Sequence, residues 1–497
     1  MLTGEAIDQP ELLLRSVVDA CTDCDCCRYI MDTSCLFFPR VYQLWDRERE
    51  TGEAITPGEL RRLADLCNYC ALCPCPNIRE DIITAKTLFI DRDGLAPYIR
   101  TLEDVERVGK LCGALPRLSN LLLSHKRSGR LIKQLAGIHP KRKLPRFPEE
   151  SFPAWARRRA LHKPSVSKTR HKVAYFAGCT ARYLFPSVAR AVVAVLRENH
   201  IPVFYPEQNC CGMPSMLEGD RKVTLQFARR TVSRLAATVA DGYDIVCSCP
   251  TCGYMLKIVL REKAYYSREY QDLVGDDEKF LKIPEWFAAD GRNRAGTATP
   301  EIFKATFGGH HMAREVVEAV AAGDGSLRKL PVRVLSKSIY GRILRDDGYF
   351  SGIDPLQRIA VAENTYDLGE YLLVLLRSGE LATQLRPITG RHVYYPPCHL
   401  REQEIGQPWL ELLGLVPCMA LESFPSTSFC CGIAGIMGFK RDFHTASIQM
   451  GSRLMARIKR MDPDCLVTDC LSCRLQFNQM SKYPVAHPIE ILEKAYG

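Results

Sequence analysis

Long hydrophobic runs are missing from this 497-residue chain: even "YLLVLLR", Tyr371 to Arg377, stops after six apolar residues. A spanning helix needs about 20 such residues in a row, so none is expected. The first residues lack a basic segment leading into an apolar run and a small-residue cleavage site, so secretion into an oxidising compartment is not expected either. Phosphate-cradling loops are also missing. "FGGHH" (Phe307 to His311) and "GDGS" (Gly323 to Ser326) are isolated glycine pairs without a strand leading into a helix, so this chain is expected to hold no flavin or nucleotide. Disorder is excluded by a composition that is 46% hydrophobic and 25% charged. What the chain has in excess is cysteine, 23 residues, too many for packing alone. Reduced thiols at this density point to metal binding.

Two amino-terminal runs come first. "CTDCDCC" spaces Cys21, Cys24 and Cys27 at two-residue gaps, with Cys26 beside them and Cys35 beyond; "CNYCALCPCP" does the same with Cys67, Cys70 and Cys73, followed by Cys75 and Pro76. Zinc favours two separated Cys-x-x-Cys pairs around one tetrahedral ion. Triple runs suit three corners of an iron–sulfur cube, the fourth corner coming from near the other run. That crossing assigns Cys21, Cys24, Cys27 and Cys75 to one [4Fe-4S] cubane, and Cys67, Cys70, Cys73 and Cys35 to a second. The arrangement resembles the two-cluster bacterial ferredoxins, with two departures. Cys35 follows its run by seven residues without a proline after it, and Cys75 follows by one, which leaves Cys26 as a substitute ligand in the first run.

Two further groups form an internal repeat. Cys179, Cys210, Cys211, Cys249 and Cys252 recur as Cys398, Cys430, Cys431, Cys470 and Cys473, at offsets of 219, 220, 220, 221 and 221. Apolar runs lead into the first cysteine ("KVAYFAGC", "HVYYPPC") and the last pair ("YDIVCSCPTC", "PDCLVTDCLSC"), and amphipathic stretches at 222–239 and 443–458 lie between them. Each unit reads as strand, helix, strand, cysteine pair, helix, strand, cysteine pair, with the thiols in loops at strand ends. Neighbouring cysteines do not easily serve one compact metal, but they can bridge irons in a larger open cluster. The glycines after them, Gly212 and Gly432, permit a sharp turn. Five thiolates per unit exceed one cubane's need, so one or two further clusters, cubane or non-cubane [4Fe-4S], are expected in the repeats.

The formal charge of +10 is local: 126–172 carries fifteen Lys or Arg against Glu149 and Glu150. With five prolines it reads as a connector, either a solvated linker or a docking surface for an acidic partner or anionic lipid. Phe147, Phe152 and Trp155 lie within it, but no nucleic-acid motif accompanies them, so no nucleic acid is expected. The expected architecture is α/β multidomain: a helical ferredoxin-like domain with two [4Fe-4S] clusters at 1–100, a basic connector at 101–172, a first cysteine-rich unit at 173–260, a mainly helical inter-repeat region at 261–390, and a second unit at 391–497. An approximate twofold axis is expected to relate the units.

The spacing C-x(30–38)-CCG-x(35–38)-C-x-x-C, with "GIHPKRKLPRFPEESFPAWARR", "PPCHLREQEIG" and "VTDCLSCRLQF", resembles the cysteine-rich (CCG) iron–sulfur subunit family. That family includes the cysteine-rich subunit of heterodisulfide reductase and the iron–sulfur subunits of glycolate oxidase and of anaerobic glycerol-3-phosphate dehydrogenase. The resemblance implies an oxidoreductase component of anaerobic respiration. It would carry single electrons from a flavoprotein dehydrogenase or similar redox subunit to a quinone at a membrane surface, or to a thiol/disulfide acceptor. The location implied is cytoplasmic, or peripheral on the inner face of the cytoplasmic membrane. A self-contained disulfide reductase using a non-cubane cluster is the alternative, because both repeats keep every cysteine.

Several residues have plainer readings. Cys112, Cys247, Cys418 and Cys465 fall outside the motifs and read as packing, although Cys247 could replace Cys249. His399 could donate to a cluster sulfur or pass a proton, but a satisfied structural histidine is the simpler reading. His310 and His311 read as the exposed start of a helix, "HHMAREVVEAVAA", and Glu218 and Arg182 as a solvated face.

Overall fold

The computed structural model describes residues 9–32, 35–70, 73, 75–164, 170–274, 280–284, 314–316, 332–336, 344–424 and 429–497. The amino-terminal part is helical: Pro10–Cys24, Cys26–Ile30, Phe37–Thr51, Pro57–Leu66 and Pro76–Asp93. Proline opens the first of these, and Thr56 and Glu59 cap the fourth reciprocally. Apolar residues at helical spacing, among them Leu14, Val17, Val18, Val41, Leu63 and Phe89, turn inward to one core.

Both repeats are four-stranded, wholly parallel sheets. The first takes the order β2-β1-β3-β7 from β1 (Val173–Phe176), β2 (Val203–Phe204), β3 (Asp244–Cys247) and β7 (Thr365–Asp367). The second takes β9-β8-β10-β11 from β8 (Arg391–Tyr394), β9 (Ala420–Ser423), β10 (Cys465–Val467) and β11 (Val485–Ala486). Matched through their cysteines, these are the same topology. β1, β8 and β10 are buried or nearly so along their length, as strands covered on both faces by crossover helices must be. The amphipathic stretches form the helices Arg221–Ala240 and His444–Met461.

The structure revises two boundaries. The fourth strand and closing helix of the first repeat, β7 and Leu368–Arg377, come from inside 261–390, so that stretch is in part an insertion within the first repeat. The described part of the insertion also holds an antiparallel sheet, β4 (Phe280–Pro284), β6 (Val332–Ser336) and β5 (Arg314–Val316), beside its helices. The helix expected from His310 is therefore strand at 314–316, where pairing to β6 outweighs helical spacing. His310, His311 and both isolated glycine pairs lie outside the described residues.

The repeats pack reciprocally. Helix Pro186–Glu198 of the first lies on Pro488–Tyr496 of the second, while Pro408–Gly414 of the second lies on Leu368–Arg377 of the first. Likewise Gly178–Tyr183 meets Leu471–Met480, and Cys398–Arg401 meets Pro250–Tyr254. Such exchange of equivalent partners is the mark of a twofold relation. One core runs through both, with Val192 and Leu372 against Trp409, Leu413 and Ile489.

The expected connector is mostly folded. Helices Pro97–Glu103, Val105–Ala114, Pro116–Ser124 and Lys126–Leu135 lead into an extended strap over the second repeat. There Ile138 bridges Lys440, His139 N donates to Phe439 O, Arg441 N donates to Gly137 O, and Lys143 N donates to Gln479 Oε1. Among the described residues, no helix is long and apolar enough to cross a membrane.

Candidate metal centre

The amino-terminal cysteines are placed by helix ends. Cys24 ends the first helix, Asp25 turns the chain in the left-handed region, and Cys26 and Cys27 open the next; Cys67 and Cys75 flank Pro57–Leu66 and Pro76–Asp93. Burial, then the charges of Cys27, Cys75, Cys24 and Cys35, push the Cys21 thiol up to about 12, so Cys21 has all four nearby, and Cys35 is within reach of both runs. Cys26 hydrogen-bonds Cys24 at the exposed edge of the same group. Burial likewise raises Cys73 to about 12, with Cys67 and Cys35 next to it. Cys70, of the same run, stands on the side of the repeats, where it adds to the negative surroundings of Cys430.

In the repeats nine of the ten motif cysteines are linked sulfur to sulfur, from Cys179 to Cys430, and Cys398 lies within electrostatic reach of Cys431. Cys210 Sγ lies 3.7 Å from Cys179 Sγ, and Cys473 Sγ lies 3.1 Å from Cys431 Sγ, both beyond the disulfide length of about 2.05 Å. Equivalent positions behave alike. Hydrogen bonds from Cys210 and Cys252 lower the Cys211 thiol to about 6, and those from Cys430 and Cys473 hold Cys431 well below its ordinary value. Where the repeats meet, Cys249 hydrogen-bonds its own counterpart Cys470. Backbone amides turn to the sulfurs as well: Gly432 N to Cys430 Sγ at 3.3 Å and Cys473 N to Cys470 Sγ at 3.5 Å. After Gly212 a short helix, Met213–Glu218, starts directly; after Gly432 the chain passes through turns before its helix.

A cavity of about 370 Å³ opens between the repeats, with Cys179, Cys398, Cys430, Cys431, Cys470 and Cys473 on its floor. Cys70 reaches it from the amino-terminal part, and Leu102, Val105, Leu111, Cys112, Leu123 and Ile132 roof it from the connector helices. Of the other cysteines, Cys247 is wholly buried in β3, Cys465 is half-buried on β10 and Cys418 is exposed. His399 has both ring nitrogens engaged, Nδ1 with Thr251 Oγ1 at 3.0 Å and Nε2 with Tyr69 O at 3.4 Å, and stacks on Tyr254. Burial lowers its pKa to about 4, so it stays neutral as a structural residue.

Two expectations about charge fail. Glu218 and Arg182 are not solvated: Glu218 pairs with buried Lys440, and Arg182 pairs with Glu106 at 3.0 Å. Arg142, read only as part of a basic run, is wholly buried and within electrostatic reach of Cys431. The partners lie 76 residues apart for Arg182 and 222 for Glu218, so no local pattern in the sequence could have found them.

Among the described residues no three ligating side chains converge on a single-ion position. The donor set nonetheless fits iron–sulfur: soft sulfur ligands in quantity, apolar walls, amides aimed at sulfur, and a buried guanidinium with two N–H atoms lacking a partner.

The family model described as a cysteine-rich domain, CCG, matches residues 173–257 and again 392–478. One subunit of the anaerobic glycerol-3-phosphate dehydrogenase of Escherichia coli K12 is 23% identical over 407 residues, 81% of this chain and 78% of its own. One subunit of the fumarate reductase (CoM/CoB) of Methanothermobacter marburgensis is 20% identical across 66% of this chain and 47% of its own. Lactate utilization protein A of Bacillus pumilus is 21% identical across 65% of this chain and 98% of its own.

Proposed function

The chain belongs to the cysteine-rich CCG-domain family, carrying that domain twice, and from this premise we propose that it is an iron–sulfur electron-transfer subunit. It would take single electrons from a flavoprotein dehydrogenase or similar redox partner and deliver them to a quinone or a thiol/disulfide acceptor. The observation that carries this reading is the gathering of ten cysteines, nine of them buried, where the repeats meet, six of them lining one apolar cavity that Cys70 reaches from the amino-terminal part. In the proposed assignment Cys21, Cys24, Cys27 and Cys75 hold one cubane, and Cys35, Cys67, Cys70 and Cys73 hold another. The ten repeat cysteines hold one or two further clusters. Bound iron–sulfur clusters supply one-electron chemistry with little change of shape. The chain's residues hold the thiolates, direct amides at them and keep water out.

The apolar cavity favours a lipophilic quinone over a charged disulfide as acceptor. So does the surface above it. Leu111, Leu115, Leu118, Leu121, Leu122, Leu131 and Leu135 are exposed on three consecutive helices, among Lys110, Arg117, Lys126, Arg127, Arg130 and Lys133. Leucines ringed by cations suit an anionic bilayer surface, and Leu111 belongs to both this patch and the cavity wall. We place the chain peripherally at the inner face of the cytoplasmic membrane on that basis.

Anaerobic iron and sulfide analysis with electron paramagnetic resonance tests the assignment. About twelve or sixteen irons in two unlike spectral classes support it. About eight irons remove the repeats from the relay, and a colourless zinc protein overturns it. With reduced viologen as donor, turnover of a quinone analogue without disulfide cleavage supports the acceptor proposed; disulfide cleavage by the chain alone favours the reductase alternative.

A further inference from the structure

Arg142 lies where neither the sheet nor the cysteine motif calls for a cation. It sits in the strap across the second repeat with its side chain fully enclosed. Nη1 donates to Gln476 Oε1 at 2.6 Å, and the guanidinium lies over the Phe439 ring, 4.4 Å from its centre. Stacking uses the face of a guanidinium and leaves its edge free. The other edge atoms, Nε and Nη2, are buried without a hydrogen-bond partner. Burial works against the charge, and the Cys431 sulfur favours it.

The strap does not need this cation in order to dock, because backbone contacts at Ile138, His139 and Lys143 already fasten it. A sealed cation with unanswered donors is unfavourable unless an anion completes it. Gln476, which holds the guanidinium, lies one turn after Cys473 on helix Leu471–Met480, so the nearby anionic chemistry is sulfur. Among the described residues the first repeat has no match for this arrangement. The offset of 221 residues relating Cys252 to Cys473 puts buried Met255 where the second repeat has Gln476, the partner of Arg142.

We infer that Arg142 is the charge-compensating residue of the iron–sulfur site in the second repeat, its free guanidinium edge completed by the sulfurs there, and that it makes this site the more easily reduced of the two. The inference rests on the iron–sulfur reading and adds to it a difference between two otherwise equivalent sites.

The test is an anaerobic redox titration of the full-length, cluster-loaded protein, followed by electron paramagnetic resonance. The second-repeat signal is identified by its loss in Cys431→Ser. Arg142→Gln should lower the potential of that signal by about tenfold in the reduction equilibrium, about 59 mV for one electron, and leave the amino-terminal signals in place. Arg142→Lys should retain most of the wild-type potential. An unchanged second-repeat potential in Arg142→Gln with iron retained overturns the inference. Should that variant lose its iron, Gln476→Glu sets a carboxylate against the intact guanidinium; it must lower the same potential, and an unchanged value again overturns the inference. Wild-type protein without iron in the repeats overturns the electron-transfer reading itself, and this inference with it.

Discussion

Replacing Gly432 by alanine leaves the new methyl carbon nowhere to go. At a φ of +89° it would fall on the Ser447 carbonyl oxygen and 2.8 Å from Gly451 N, both backbone atoms of helix His444–Met461. Relief therefore means pushing that helix off the cysteine pair. The left-handed backbone alone costs ~1–2 kcal/mol with a side chain. Displacing a packed element adds ~1–3 kcal/mol. The hydrogen bond from Ser447 Oγ to Gly432 O, 2.6 Å, is also at risk, worth ~1 kcal/mol. The total is ~3–6 kcal/mol. Gly212 is the internal control. Its φ of +95° is equally left-handed, but an added carbon there meets nothing nearer than 3.5 Å, so only the backbone term of ~1–2 kcal/mol applies. Anaerobic denaturation and iron content per chain should show Gly432→Ala strongly destabilised and short of second-repeat iron, and Gly212→Ala mildly destabilised with its iron kept. Equal damage from the two, or greater damage from Gly212→Ala, refutes the reasoning.

Cys75→Ser should remove about four irons per chain, whereas Cys26→Ser, at the exposed edge of the same group, should remove none; the reverse outcome makes Cys26 the ligand. Burial and the neighbouring Asp220 raise the Glu103 carboxyl to about 8 from 4.5, so the folded chain keeps a proton that the unfolded chain has lost between those values. Stability should therefore fall as pH rises through that window, by on the order of 3–5 kcal/mol, and Glu103→Gln should flatten the slope and be the more stable protein at pH 8; identical slopes refute this. Leu118→Glu with Leu121→Glu changes exposed side chains only, so the circular dichroism should stay while flotation with anionic vesicles is lost; unchanged flotation refutes the membrane face.

The repeat was legible because cysteine spacing is a local signal carried twice, and because apolar runs such as "VAYF" and the "IVC" of β3 lead into the cysteines. The fourth strands were not. β7 is "TYD" and β11 is "VA", too short for any periodicity, and β7 is separated from β3 by the whole insertion. Charge was misread for a related reason. Composition treats Glu218, Arg182 and Arg142 as surface residues, and only tertiary pairing, Glu218 with a lysine 222 residues on, shows them to be buried. The cysteine runs supply a grouping around Cys21 that iron analysis of the variants must test, and nothing in "CNYC" says that Cys70 stands beside Cys430.

Duplication explains why there is one cavity here and not two. In each repeat the helix after the first cysteine is covered by the helix carrying the other repeat's last pair, so neither half could exclude water from its thiols alone. Twofold packing also sets Cys249 against Cys470, which joins the two lines of sulfur end to end. A symmetric pair of sites would give an electron no preferred direction. The residues that break the symmetry come from outside the repeats, and two of them fall on the second: Cys70 beside Cys430 and Arg142 beside Cys431. On the proposed relay, the amino-terminal part delivers to the second repeat, through Cys70, and the strap biases that repeat to accept, through Arg142. An electron entering there stands one interface, Cys470 to Cys249, from the first repeat, with the cavity open to both.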